Sequence, residues 1–221
     1  PYFCPKSTHV MAIKLNFHKT DADLTGCSKW WGAPDLPLEM PFPTVLVADD
    51  GDAYDDPMTF VCQIRCADLA AFDKEDLLPH NGMLYFFAAM DYFLGNTDAF
   101  VYPGMGEWSP LHFKVLYTPS CDGLEPYEIT YDDGTPAYMP AEAISFEQSA
   151  EANESFHLLG KPYFEEIREQ YPDAMLSLLQ VDESDDWGLR FVDSGMLCFM
   201  ISPDDLRNRN WNGVRCYLHS F

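Results

Sequence analysis

Basic residues are scarce in this chain. Its 221 residues carry 13 Lys and Arg against 36 Asp and Glu, a formal net charge of −23 at pH 7. A surface of that sign repels phosphate backbones and anionic headgroups, so nucleic-acid and membrane-surface binding are disfavoured. It attracts basic proteins instead, and speeds their encounter at low salt. Long apolar runs are absent as well. None approaches the ~20 residues of a membrane span, and the longest, around Met83–Met90, is closed off by Gly82 and Asp91. The start shows no basic segment followed by an apolar one, the mark of a secretory leader. There is no G-x-x-x-x-G-K-[ST] loop, no G-x-G-x-x-G and no G-x-S-x-G elbow. Nucleotide binding and serine hydrolysis therefore lack local support, and no cofactor is expected. The seven cysteines are odd in number and scattered. That is a poor disulfide framework and reads as reduced thiols in a cytoplasmic protein.

What is present is a core-forming composition: 47% hydrophobic and 15% aromatic residues. A chain of this length buries about 70% of its unfolded surface without disulfide staples. His9–Phe17 alternates apolar and polar residues as a half-buried strand does. Thr59–Cys66, Met83–Met90, Leu111–Tyr117, Tyr127–Tyr131, Ala143–Gln148, Ser177–Val181 and Met196–Ile201 also read as strands. In Thr59–Cys66, alternation places Phe60, Cys62, Ile64 and Cys66 on one face. Helical segments are expected at 67–77 and 161–171, with Pro162 at a first helical position and Pro172 as the stop. A short helix begins at Ser202-Pro203-Asp204-Asp205, an N-cap serine followed by proline and acids. Ser28–Pro37 reads as an ordered loop and Asp49–Pro57 as a solvated acidic one.

The chain repeats itself. Gly-Met-Leu-Tyr-Phe-Phe at 82–87 answers Gly-Met-Leu-Cys-Phe-Met at 195–200. Gln63 in Phe-Val-Cys-Gln-Ile answers Gln180 in Ser-Leu-Leu-Gln-Val, Trp31-Gly32-Ala33-Pro34 answers Leu159-Gly160-Lys161-Pro162, and Asp91 answers Asp204. Four landmarks in one order read as an internal duplication, with related halves at about 24–120 and 150–221 inside a single domain of 1–221. Both Gly-Met-Leu strands are apolar on both faces and belong in the middle of a covered sheet. The fold expectation is α+β: a mixed or largely antiparallel sheet with short helices, two related halves sharing one core.

The same ordered motifs, from Ser-Lys-Trp-Trp-Gly-Ala-Pro-Asp-Leu-Pro at 28–37 to the tract beginning at Trp211, resemble the YwqG-like family of bacterial proteins, a family built on a domain of unknown function. The resemblance runs from about Leu24 to the end. In that family the stretch before the second Gly-x-Leu strand reads Trp-Gly-Asp-x-Gly. Here Asp193 and Gly195 match, while the Trp-Gly pair lies four residues earlier, at Trp187-Gly188. The family implies no activity. The placement of some members near polymorphic toxin systems implies an immunity or partner-binding role.

Candidate chemistry is sparse. Cys62-x-x-x-Cys66 lacks the second pair that a zinc site needs, and no metal site is expected. The acidic loops lack the EF-hand ligand order. Gln63 and Gln180 stand out, because a buried glutamine without partners costs about 1–3 kcal/mol. Each either ties its neighbouring G-x-P loop to the sheet or contacts a ligand between the halves. Arg65 and Asp182, two residues beyond these glutamines, are placed to form a salt bridge between the halves. Lys29, Trp30 and Trp31 set a cation beside two large rings, a group favoured at binding surfaces, while tryptophan is equally often simply core. The leading functional expectation is a binding protein, of immunity type, whose acidic face meets a basic protein. The alternative is an enzyme or small-ligand binder with a cleft lined by Trp30, Trp31, Gln63, Gln180 and Asp193. The sequence sets no oligomeric state.

Overall fold

The computed structural model describes residues 10–49, 52–171 and 175–221. In chain order its strands are β1 (Ala12–Lys19), β2 (Lys29–Trp30), β3 (Asp35–Pro37), β4 (Thr44–Asp49), β5 (Asp52–Pro57), β6 (Thr59–Arg65), β7 (Met83–Ala88) and β8 (Gly106–Glu107). There follow β9 (Phe113–Thr118), β10 (Leu124–Pro126), β11 (Glu142–Ser149), β12 (His157–Leu158), β13 (Leu176–Val181), β14 (Gly195–Ile201) and β15 (Arg215–Ser220). The α-helices among the described residues are α1 (Glu165–Gln170) and α2 (Pro203–Arg207). Eleven strands form one curled antiparallel sheet in the order β8-β15-β14-β13-β12-β1-β11-β2-β6-β7-β9. β4 pairs with β5, and β3 with β10, in two small ladders.

Apart from β8, this order reads the same from both ends. β1 and β11 lie side by side at the centre, in register from Ala12↔Ser149 to Lys19↔Glu142. β2 meets β11 at Lys29↔Ala143, and β12 meets β1 at His157↔Lys14. Lys14 and Ala143 are each two residues before the Asn16↔Ser145 pair, so the two flanks are related by a rotation about that pair. The outer registers agree too. Gln63 faces Lys29 and Tyr85, and Gln180 faces His157 and Cys198. A register shift falls between Phe60 and Cys62 in β6, and between Ser177 and Leu179 in β13. β1 precedes β2 in the chain yet lies beside β12, and β11 precedes β12 yet lies beside β2.

Burial follows from this arrangement. Leu84, Phe86 and Ala88 of β7 join Leu197, Phe199 and Ile201 of β14 in one large core. Their alternates face other clusters. Met83, Tyr85 and Phe87 pack with Leu36, Val45 and Met58, and Met196, Cys198 and Met200 pack with Phe164 and Ile167 of the α1 region. Both strands are thus covered on each face, which explains their continuous apolar sequence.

The α+β expectation fails, because strand accounts for 39% of the described residues and helix for 12%. At 67–77 only a 3₁₀ turn forms, Cys66–Leu69. The buried Asp73 carboxylate accepts the Leu78 N–H at 2.7 Å and bends the chain where a helix would continue. At 161–171 only Glu165–Gln170 is helical, since Gln180 Oε1 accepts the Tyr163 N–H at 2.9 Å and holds the preceding residues in a loop. The Pro172 stop lies outside the described residues, as does His9. Tyr127–Tyr131 is no strand but one side of a turn with a lone Thr130–Pro136 bridge. Residues 52–57 of the expected acidic loop form β5, paired with β4, and Ser28–Pro37 contributes both β2 and β3. The register shift in β6 also breaks the expected alternation. Phe60 faces the second cluster, while Val61 and Cys62 both reach the large core, as an extra residue in a bulge requires. The N-cap of α2 forms as its sequence implies, with the Asp205 N–H donating to Ser202 Oγ at 3.0 Å.

Candidate functional site

The two glutamines make matching sets of hydrogen bonds. Gln63 Oε1 accepts the Asp35 N–H at 2.8 Å, and its Nε2 donates to the Cys27 carbonyl at 2.9 Å. Gln180 Oε1 accepts the Tyr163 N–H at 2.9 Å, and its Nε2 donates to the carbonyls of Asn153 and Ser155 at 3.0 and 2.9 Å. Each is fully buried and ties a looping segment to the sheet. The segments match in conformation. Trp31 and Leu159 share a left-handed φ of 56°, and Gly32 and Gly160 follow at 79° and 71°. A Cβ on Gly160 would lie 2.4 Å from the Glu151 carbonyl oxygen, so this loop needs glycine for room as well as for φ.

Lys29 and His157 occupy matching register positions but differ in their partners. Lys29 Nζ reaches Asp35 Oδ1 at 2.9 Å in a buried ion pair. Asp35 also accepts the Gly26 N–H and Gln63 Nε2, and Tyr85 OH donates to its carbonyl at 2.6 Å. At the position matching Asp35 stands Tyr163, with no carboxylate to offer. Burial accordingly pushes the His157 pKa down to about 4, with Nδ1 against the Ser155 carbonyl at 3.0 Å. Trp30 belongs to an aromatic cluster, stacked on Trp187 at 5.6 Å and packed against Phe17 and Phe156. The Trp187 indole donates to Glu142 Oε1 at 3.0 Å. Asp193 is exposed, its N–H donating to Ser220 Oγ at 3.2 Å. Arg65 pairs with Asp68 at 2.7 Å and not with Asp182, whose carboxylate accepts the Glu183 N–H. Cys62 and Cys66 are buried, with thiols pushed up by desolvation, and no cluster of three metal-ligating side chains exists among the described residues.

A cavity of about 560 Å³ opens elsewhere, beside the Trp31–Pro34 loop. Its walls are that loop, the β5–β6 junction from Asp56 to Phe60, the turn after β7 with Asp91 and Leu94, and a flap over 127–139. The flap is pinned to the loop at both ends: the Tyr127 N–H donates to the Pro34 carbonyl at 2.8 Å, and the Gly32 N–H to the Met139 carbonyl at 3.0 Å. Six aromatic residues line the space: Trp31, Phe42, Phe60, Tyr127, Tyr131 and Tyr138. Its carboxylates are Asp56 and Asp91. Burial raises the Asp56 pKa, and the nearby Asp91 charge raises it further. Asp91 accepts the Thr59 hydroxyl. Of the candidate binding residues Lys29, Trp30, Trp31, Gln63, Gln180 and Asp193, Trp31 lines this cavity and the other five do not.

Comparison with known proteins adds one result. A family model described as Domain of unknown function (DUF1963) matches residues 28–219. The chain belongs to this family. No curated protein matches it. The DUF1963 match runs from β2 into β15, and so contains the cavity and both glutamines.

The cavity residues of this DUF1963 domain went unread in the sequence. Asp56 sits in a run of acids that looks solvated, and Asp91 shows only as a landmark of the repeat. The one available signal is aromatic: Tyr127, Tyr131 and Tyr138 stand in a stretch otherwise made of turn formers, Asp132-Asp133-Gly134-Thr135-Pro136. Large rings in a turn-rich segment need a surface to rest on.

Proposed function

We propose that this DUF1963 domain is a small-ligand-binding protein whose site is the cavity beneath the 127–139 flap. The observation that carries the reading is the cavity's make-up. Its size suits a small organic molecule, its walls are mostly apolar, and two carboxylates converge in it. The test is a fragment screen by ligand-observed NMR on the wild type and on Ala137→Trp, which fills the space from the flap side. Fragments that bind the wild type and not the variant support the site. If no fragment binding is sensitive to the variant, the reading is wrong.

A second reading is favoured by the net charge of −23 and by exposed rings at Tyr54, Phe100 and Tyr102. An acidic face of that kind suits a basic protein partner, including a toxin met by an immunity protein. Capture of one defined basic protein at low salt, lost at high salt, supports it. Within DUF1963, the ordered motifs support placing the chain with the YwqG-like bacterial members, and the uneven cysteine set supports a cytoplasmic site. No helix among the described residues is long and apolar enough to cross a membrane. The matched registers support a further proposal, that the two flanks are copies of one unit whose first strands are exchanged.

A further inference from the structure

We infer that the ligand of this cavity is an organic cation, an ammonium or guanidinium group on an apolar body; the inference rests on the cavity being a ligand site. Charge is the first reason. Asp56 and Asp91 line the space, and among the described residues no Lys, Arg or His does. The two acids are close enough for the charge of one to raise the pKa of the other, a repulsion that a bound cation relieves. The other flank of the sheet shows what is missing. Asp204 stands where Asp91 stands, and it pairs with Arg207 at 3.0 Å. The residue corresponding to Arg207 is Leu94, itself in the cavity wall. The first half therefore keeps the acid and lacks the cation that would neutralise it.

The rings are the second reason. Tyr127, Tyr131 and Tyr138 line the space, and aromatic rings carry the quadrupole that attracts an organic cation. A calcium or magnesium ion would need six or more oxygen ligands, which these apolar walls do not supply. Trp31, 2% exposed, adds a further ring to the wall.

The test compares two near-isosteres on the full chain by calorimetry: 2-phenylethylamine, charged at pH 7, and 2-phenylethanol, neutral. The amine is expected to bind at least tenfold more tightly. That advantage should fall below threefold in Asp91→Asn and, separately, in Asp56→Asn, which leaves the Thr59 contact untouched. Equal binding of amine and alcohol, both abolished by Ala137→Trp, overturns the cation assignment and leaves the cavity as a ligand site. So does neutral fragment binding with no amine binding. Saturable calcium binding that the amine does not displace also overturns it. If no fragment of any charge binds, both readings fall.

Discussion

Phe86 and Phe199 meet edge to face, with ring centroids 5.5 Å apart. They hold the same place in β7 and β14, both fully buried, so the large core is closed by two equivalent residues touching each other. Each ring removed leaves a cavity that the rigid sheet cannot collapse. Phe86→Ala and Phe199→Ala should each cost about 3–5 kcal/mol. Because the rings touch, the double variant should fall short of the sum by about 0.5–1.5 kcal/mol in a urea-denaturation cycle. Strict additivity would mean that the two flanks have separate cores.

Gln63 and Gln180 answer a common need at their two loops, and their removal should cost comparable amounts. Gln63→Leu strands the Asp35 N–H and the Cys27 carbonyl; Gln180→Leu strands the Tyr163 N–H and the Asn153 carbonyl. Each change should cost about 1–3 kcal/mol in urea titrations. Gln63→Leu should cost more, since it also removes a donor from the buried Asp35 carboxylate. A stability unchanged in Gln180→Leu would show that water enters and satisfies these groups.

His157 makes stability depend on pH in a definite direction. Its pKa is about 4 in the fold and about 6.5 in an unfolded chain. Between those values the unfolded state holds the extra proton. The contribution is therefore complete above pH 6.5 and is lost as pH falls toward 4, roughly 3 kcal/mol in all. His157→Asn should flatten the loss of stability between pH 7 and pH 4.5 relative to the wild type. An imidazole that titrates near 6.5 in an NMR experiment on the native protein would sink the idea.

The frame of the fold is legible in the sequence because its signals are local. A single glutamine in an apolar strand, a Gly-x-Pro beginning at the second residue past a strand, and a doubly apolar strand opened by glycine each have a physical cause that acts within a few residues. The helix at 67–77 is misread because Asp73 competes with the backbone through its side chain, which no periodicity records. Phe60 is misplaced because a bulge shifts the strand's alternation by one residue. The cavity is invisible for another reason. Its walls come from distant segments, from Trp31 to Met139, and Asp56 carries meaning only once β5 folds back beside Asp91.

The flap's tip depends on one side chain. Residues 131–135 are exposed, and Tyr131 is 63% accessible, so little packing holds them. Asp133 Oδ1 accepts both the N–H and the hydroxyl of Thr135, at 2.9 and 2.7 Å, and these bonds hold its carboxyl below the usual range. The remaining support is backbone: the Tyr131 N–H to Thr135 O, the Gly134 N–H to Tyr131 O, and the Ala137 N–H to Ile129 O. An aspartate turn of this kind fixes local geometry without contributing to the core. Asp133→Ala should therefore loosen the tip and leave global stability within about 0.5 kcal/mol. Chymotrypsin cleavage after Tyr131, followed by mass spectrometry, should run several-fold faster in the variant, while the urea midpoint stays put. Equal cleavage rates would show that the backbone pins at Pro34 and Met139 hold the flap unaided. A lowered midpoint would show that the flap is part of the cooperative fold, and then it could not open over the cavity without the sheet giving way.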